Sequence, residues 1–150
     1  MKNFFDLPPV WLAAALGVAW LQKTHFSLGL SFGPVWADLL GGLLVGGGIV
    51  LIALAAYEMR RHRTTIIPHR VPDALVTSGI FKRSRNPIYL ADSLILTGMI
   101  LYWDAVLSLP LIPVFVWWIE KHFILGEEKR LRRNFRANFA RYEKQTRRWL

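Results

Sequence analysis

The chain has 150 residues, of which 53% are hydrophobic, and it combines a mean hydropathy of +0.30 with a formal net charge of +9. This combination argues against an ordinary soluble domain and is typical of a small membrane protein with basic loops. Because the chain contains no cysteine, disulfides, thiol nucleophiles and thiolate metal sites are excluded. The length predicts one domain, 1–150, with an N-terminal two-helix part at 1–57 and a second part at 58–150.

Four apolar segments follow one another and predict an all-α, polytopic membrane protein. They cover residues 7–22, 39–57, 93–103 and 105–119. Only the second approaches the ~20 residues that a bilayer core requires, so the third can cross only if its helix begins near Pro87. The last two segments predict a helical hairpin, and Pro110 and Pro113 predict a kink in the fourth helix.

The second segment is rich in glycine. Gly42 and Gly46 form a GxxxG pair, with Gly41, Gly47 and Gly48 beside them. This spacing predicts close packing between membrane helices. A dinucleotide-binding loop is a poorer interpretation, because the strand–turn–helix context that such a loop requires is missing.

A basic loop joins the second and third segments and ends in "KRSRNPIY", where Lys82, Arg83 and Arg85 directly precede an apolar helix. Its three prolines exclude a single helix, Gly79 predicts a break in the chain, and its apolar residues predict that it folds back against the rest of the chain. The cations either mark the cytoplasmic end of a transmembrane helix or form part of a binding site.

The C-terminal segment predicts an amphipathic helix, because Leu131, Phe135, Phe139 and Tyr142 recur at helical spacings. Its many cations favour membrane lipid as a partner, at about 1 kcal/mol per cation near an anionic surface. Nucleic acid is not expected as a partner, since no recognition fold accompanies the charge.

Two adjacent carboxylates, Glu127 and Glu128, directly precede that face. In the first turn of a helix they would complement the helix dipole, but a single Glu would serve equally well. A role in ligand binding is the other interpretation. No metal is expected, because the histidines have no spacing typical of a shared metal site; they are His25, His62, His69 and His122.

The distribution of cations predicts the orientation. With the N terminus in the cytoplasm and four crossings, Lys23 alone of the 19 Lys and Arg residues lies outside. This asymmetry follows the positive-inside rule. We therefore expect an integral protein of the bacterial inner membrane, with both termini and the basic segments in the cytoplasm.

Two stretches together carry a family resemblance: "ALVTSGIFKRSRNPIYLAD" and "FILGEEKRLRRNFRANFARYEKQTRRWL". They resemble the small bacterial members of the isoprenylcysteine carboxyl methyltransferase family, which is related to the phospholipid N-methyltransferases. The resemblance covers residues 58–149 and includes "TTIIP" upstream. It implies a membrane-embedded, S-adenosylmethionine-dependent methyltransferase without a Rossmann domain. It also implies that the cofactor lies at the cytoplasmic end of the last helices, under the C-terminal segment.

The resemblance implies which residues bind the cofactor. They belong to an R-[HN]-P-x-Y element, an "LVTSG" stretch and an acidic pair, which here are Arg85, Asn86, Pro87 and Tyr89, then Leu75 and Thr77, then Glu127 and Glu128. An Arg fork pairs a carboxylate through two bonds, so Arg85 is the candidate for the carboxylate of the cofactor. No single catalytic residue is expected, because methyl transfer depends on alignment more than on acid or base.

Four positions depart from the family pattern. Asn86 stands where many members have His, Arg136 replaces a Gly that often follows the aromatic residue, and Gln145-Thr146 replaces a basic–apolar pair. These departures concern the acceptor side more than the cofactor.

Two functions are compatible with the sequence. The first is methyl transfer to a lipophilic or small membrane-partitioning acceptor: a prenylated cysteine carboxylate, a phospholipid amine, or a thiol. The second is a non-catalytic membrane interaction protein whose basic tail docks on lipid or on a partner. The polar motif positions are intact or conservatively filled, which favours the enzyme.

Overall fold

A computed structural model describes residues 4–65 and 72–150, and within these ranges the chain is helical and contains no strand. The predicted all-α class is confirmed. Residues 66–71, which include His69 and the end of the "TTIIP" stretch, lie outside the described residues.

All but the last of the α-helices begin at or beside a proline. They are α1 (Pro8–His25), α2 (Pro34–Arg61), α3 (Pro87–Tyr102), α4 (Leu111–Ile119) and α5 (Leu125–Gln145), with 3-10 turns at Phe4–Asp6, Gly79–Lys82 and Val106–Ser108. Proline suits the first helical turn, because its missing N–H would have no partner within the helix there. The predicted start of the third helix near Pro87 is confirmed.

The fourth apolar segment differs from its prediction. Its first part, Val106–Ser108, is a separate 3-10 turn, and α4 begins directly after Pro110. Pro113 lies in the first turn of α4, where proline removes no helical hydrogen bond. The expected kink at these two prolines is therefore wrong, because they precede and open the helix.

Helix α4 continues into α5 without a break. A π-helical turn, Glu120–Ile124, joins them, and Ile124 has the helical angles φ −61° and ψ −49°. Since no free helix start lies here, Glu127 and Glu128 do not face unpaired N–H groups at a terminus. The structure therefore does not support the interpretation that these two carboxylates complement the helix dipole in a first turn.

Two stretches are long and apolar enough to cross a membrane by length and composition, Pro34–Arg61 and Val106–Gln145. Pro87–Tyr102 is a shorter apolar helix. Four crossings stay a prediction.

The residues group into two compact units, Met1–Ile49 with Ala91–Trp118, and Val50–Leu90 with Ile119–Leu150. The division at residue 57 stays a prediction.

In the first unit, α2 and α3 approach closely at glycines. A Cβ added at Gly41 would lie 2.5 Å from the carbonyl oxygen of Gly98, and one at Gly48 would lie 2.9 Å from that of Ala91. Around Gly42 and Gly46, no described atom outside the local helix backbone lies within 4 Å of an added Cβ. The predicted close packing is confirmed, but Gly41 and Gly48 make these contacts, not the predicted pair Gly42 and Gly46.

The second unit has its own hydrophobic core, which contains the apolar face predicted for the C-terminal helix. Phe139 and Tyr142 are buried in this core, and Leu131 and Phe135 pack against it. The other buried members are Ala55, Val76 and Phe81. Burying each large side chain contributes roughly 1.5–3 kcal/mol, so this core fixes α5 against the stretch that precedes α3.

Candidate functional site

A network of ionised side chains lies in the second unit, between the start of α3 and the C-terminal part of the chain. It pairs three carboxylates with three guanidinium groups: Glu120, Glu128 and Glu143 with Arg85, Arg132 and Arg148. Glu128 is central and only 3% exposed. Burying a carboxylate to this extent is costly unless cations and hydrogen bonds compensate its desolvation.

Arg148 makes the best-formed contacts in this network. Its Nε and Nη2 donate to the two oxygens of Glu128, each at 2.9 Å, and its Nη1 donates to Glu120 at 3.0 Å. The indole Nε1 of Trp149 donates to the other oxygen of Glu120 at 3.0 Å. The hydrogen bond to Glu128 raises the pKa of Arg148 above its ordinary value, so this residue is a permanent cation.

Arg85 is in a different position. Its Nη1 lies 3.6 Å from Glu128 Oε1 and 3.3 Å from Glu143 Oε1, and its side chain is 13% exposed. Among the described residues, neither its Nε nor its Nη1 has a hydrogen-bond partner. A nearly buried guanidinium with unused donors is costly, and an anionic group placed beside it would be bound well.

The C-terminal segment is held at the start of α3. Asn86 Nδ2 donates to the carbonyl oxygen of Arg148 at 3.0 Å. The backbone N–H of Arg85 donates to the carbonyl oxygen of Arg147, also at 3.0 Å. Ser84 Oγ accepts from the backbone N–H of Asn86 at 3.1 Å. Asn86 needs only an amide donor here, so this contact does not require a titratable ring at position 86.

The two predicted motifs meet at Tyr89. Its hydroxyl donates to Glu127 Oε1 at 2.6 Å, although the two residues are 38 positions apart in the sequence. The Tyr89 ring is buried, and its centroid lies 6.4 Å from that of Phe123. The fold therefore brings the R-[HN]-P-x-Y element and the acidic pair into contact.

Leu75 and Thr77 line a cleft of about 380 Å³ whose other walls come from α5. Those α5 residues are Phe135, Asn138, Arg141, Tyr142 and Gln145. The Tyr142 hydroxyl donates to the carbonyl oxygen of Phe81 at 2.6 Å. Burial raises the pKa of Tyr142, an effect opposed by the charge of Arg85, and the hydroxyl remains a donor.

A second polar cluster fixes the "LVTSG" stretch against the end of α2. Ser78 Oγ donates to the buried carboxylate of Glu58 at 2.6 Å and lies 2.8 Å from His62 Nε2. Gly79 has φ +58°, and a Cβ there would lie 2.6 Å from Glu58 Cδ, so glycine is needed at this turn. The break predicted at Gly79 is confirmed.

Sequence reasoning missed four of the six residues in the ionised network. Glu120, Glu143, Arg132 and Arg148 were not candidates, nor was Trp149 beside them. Glu143 carried a weak signal, as the one carboxylate in the basic stretch after Glu128. Arg148 carried none, because one arginine among many tail cations cannot be singled out by pattern.

A family model described as phospholipid methyltransferase matches residues 36–138. No curated protein and no solved structure matches the chain. The matched range covers more than two thirds of the chain and includes all eight residues predicted to bind the cofactor. The resemblance to the related isoprenylcysteine carboxyl methyltransferases is consistent with this match. The chain therefore belongs to the phospholipid methyltransferase family and is a membrane methyltransferase.

Proposed function

We propose that this methyltransferase uses S-adenosylmethionine and methylates a lipophilic or small membrane-partitioning acceptor. When bound, the cofactor supplies a methyl group on a sulfonium cation, beside a carboxylate, an ammonium group and ribose hydroxyls. The observation that carries the proposal is Arg85, whose Nε and Nη1 have no hydrogen-bond partner within the described part of the chain. Either donor can bind the carboxylate of such a cofactor through a charge-assisted hydrogen bond.

The residues around Arg85 fit the remaining groups. Glu127 accepts hydrogen bonds from an ammonium group or from ribose hydroxyls, and its contact with Tyr89 keeps it in place. The Tyr89 ring offers a cation–π partner for the sulfonium, worth ~0.5–2 kcal/mol. Both oxygens of Glu128 accept from Arg148, so Glu128 holds the frame of the site through Arg148.

The other predicted residues shape the surroundings. Pro87 opens α3 and Asn86 binds the C-terminal segment, so both fix the position of Arg85. Leu75 and Thr77 form walls of the cleft against α5. Its volume of about 380 Å³ lies at the lower end of the roughly 300–1,000 Å³ typical of small-molecule sites.

Methyl transfer requires that the two reactants are aligned in a site that excludes water. If the acceptor is a carboxylate or thiolate, opposite charges cancel as the methyl group moves, so exclusion of water favours the reaction. Positioning of the two reactants supplies much of the remaining rate. The acceptor classes are a prenylated cysteine carboxylate, a phospholipid amine and a thiol, and the family favours a lipid.

We place this site at the cytoplasmic face of a bacterial inner membrane. S-adenosylmethionine is made in the cytoplasm, so a site on this face has access to it. The support is the distribution of charge, since 18 of the 19 Lys and Arg residues fall on one side of a four-crossing topology.

Isothermal titration of the detergent-purified protein with S-adenosylhomocysteine, without added metal, tests the proposal. The wild type should bind saturably. Arg85→Lys keeps the charge but loses the guanidinium donors, and Glu127→Gln loses a charged acceptor. Each should weaken binding roughly ten- to a hundredfold, because a hydrogen bond to a charged group is worth ~1.5–3 kcal/mol. Arg83→Lys, at an exposed neighbouring position, should change nothing.

Folded protein that shows no saturable heat at millimolar ligand would refute the proposal and favour the non-catalytic membrane interaction protein. Equal affinity in Arg85→Lys, Glu127→Gln and the wild type would remove both residues from the site.

A further inference from the structure

Arg148 lies beyond the part of the chain that the family model matches, yet it is fully engaged in the network. All three of its guanidinium nitrogens donate hydrogen bonds, two to Glu128 and one to Glu120. Its own carbonyl oxygen accepts from Asn86 Nδ2, which ties this residue to the start of α3. Arg148 is therefore held from both its side chain and its backbone.

The fork of Arg148 decides which cation Glu128 binds. Arg85 Nη1 lies 3.6 Å from Glu128 Oε1, beyond hydrogen-bond length, while Arg148 occupies both oxygens at 2.9 Å. Without that fork, Glu128 would be a strong acceptor next to the unused donors of Arg85. Glu143, the second carboxylate beside Arg85, accepts a single hydrogen bond in this network, from Arg132 Nη2 to its Oε1 at 2.6 Å.

We propose that Arg148 is a positioning residue that saturates Glu128 and so keeps the donors of Arg85 available for an anionic ligand group. This inference rests on the proposed function, in which that group is the carboxylate of S-adenosylmethionine. Glu128 is the more important of the two carboxylates, because its side chain is 5% exposed whereas that of Glu143 is 23% exposed. An Arg85–Glu128 pair formed in this buried place would be hard for a ligand to displace.

Arg148→Lys tests the role, since lysine keeps the charge but cannot bind both oxygens of Glu128 through a planar fork. Arg147→Lys is the matched control, because the neighbouring side chain is exposed. We expect Arg148→Lys to weaken S-adenosylhomocysteine binding roughly tenfold, the effect of losing about one charge-assisted hydrogen bond at the ligand. Arg147→Lys should bind like the wild type.

A double variant separates positioning from general damage. Adding Glu128→Gln to Arg148→Lys removes the carboxylate that competes for Arg85, so most of the lost affinity should return. Two independent structural defects would instead add. Lower affinity in the double variant than in Arg148→Lys would overturn the inference.

A readout without ligand keeps this test independent of the proposed function. In protein labelled with ¹⁵N-arginine, the Nη–H signals of Arg85 are identified by their loss in Arg85→Lys. In Arg148→Lys one of these signals should move downfield and exchange more slowly with water, because Arg85 Nη1, which lies 3.6 Å from Glu128 Oε1, now donates to Glu128. Should Arg148→Lys fail to fold, Trp149→Phe, which removes only the indole donor to Glu120, should cause a smaller shift in the same direction.

Failure of the proposed function and failure of the positioning role of Arg148 give different results. A wild type that binds no S-adenosylhomocysteine refutes the proposed function, and the Arg85 signal then decides the role of Arg148 alone. An Arg85 signal that is the same in wild type and Arg148→Lys, or in Trp149→Phe where that variant replaces it, overturns the positioning role.

Discussion

Arg136 adopts φ 42° and ψ −112° inside α5, a backbone conformation that glycine reaches without strain and arginine does not. The family that the sequence resembles often has Gly at this position. The departure seen in the sequence therefore has a structural cost, which for a residue held in such a region is of order 1–3 kcal/mol.

Arg136→Gly should consequently stabilise the protein. Relief of strain outweighs the roughly 0.5–1 kcal/mol of extra chain entropy that glycine loses on folding. A net gain of about 1 kcal/mol corresponds to ~2–4 °C in melting temperature for a chain of this size. Thermal unfolding in detergent measures it. The control is Arg133→Gly, an exposed helical position where glycine should cost ~1 kcal/mol. If both variants melt earlier than wild type, the backbone at Arg136 is not strained.

Individual site residues could be predicted where a motif pairs two distant stretches. Tyr89 and Glu127 belong to such paired motifs, and the structure brings them into a 2.6 Å contact. Glu120 and Arg148 could not be predicted, because their roles depend on a three-dimensional encounter between the π-helical turn and the chain end. Their residue types are also common in a basic C-terminal segment.

At the scale of helices, hydropathy located the apolar segments but not their contacts. Gly41 and Gly48, seven residues apart, carry the approach to α3, whereas the GxxxG spacing had pointed to Gly42 and Gly46. Several glycines share this helix, so the sequence alone does not say which of them face α3. Similarly, one interpretation placed Glu127 and Glu128 in the first turn of a helix, while the backbone continues through a π-helical turn.

Alanine substitutions distinguish the two pairs of glycines. Gly41→Ala puts a methyl group 2.5 Å from the carbonyl oxygen of Gly98, so α2 and α3 must move apart. We expect a loss of ~1–3 kcal/mol, as for other overpacked positions. Gly42→Ala meets no described neighbour and should be neutral or stabilise by up to ~1 kcal/mol through helix propensity. Thermal unfolding of both variants in the same detergent is the measurement, and equal melting temperatures would contradict the α2–α3 contact.

At the scale of the whole molecule, the charge distribution predicts four crossings with both termini in the cytoplasm. Reporter fusions at the two termini and at Ser27, in the α1–α2 connection, should label only the Ser27 site as external. An external C terminus would separate the Arg85 network from the compartment that makes S-adenosylmethionine, and it would refute the proposed cytoplasmic site.

Methyl transfer itself tests the central claim most directly. Purified protein in lipid vesicles is incubated with methyl-labelled S-adenosylmethionine and, in separate reactions, a prenylated cysteine, a phospholipid amine or a lipophilic thiol. We expect label to enter one of these acceptors with the wild type and with Arg83→Lys, and transfer to be strongly reduced with Arg85→Lys. Wild-type protein that binds S-adenosylhomocysteine but labels none of the three acceptors, or Arg85→Lys that transfers at the wild-type rate, would contradict the account.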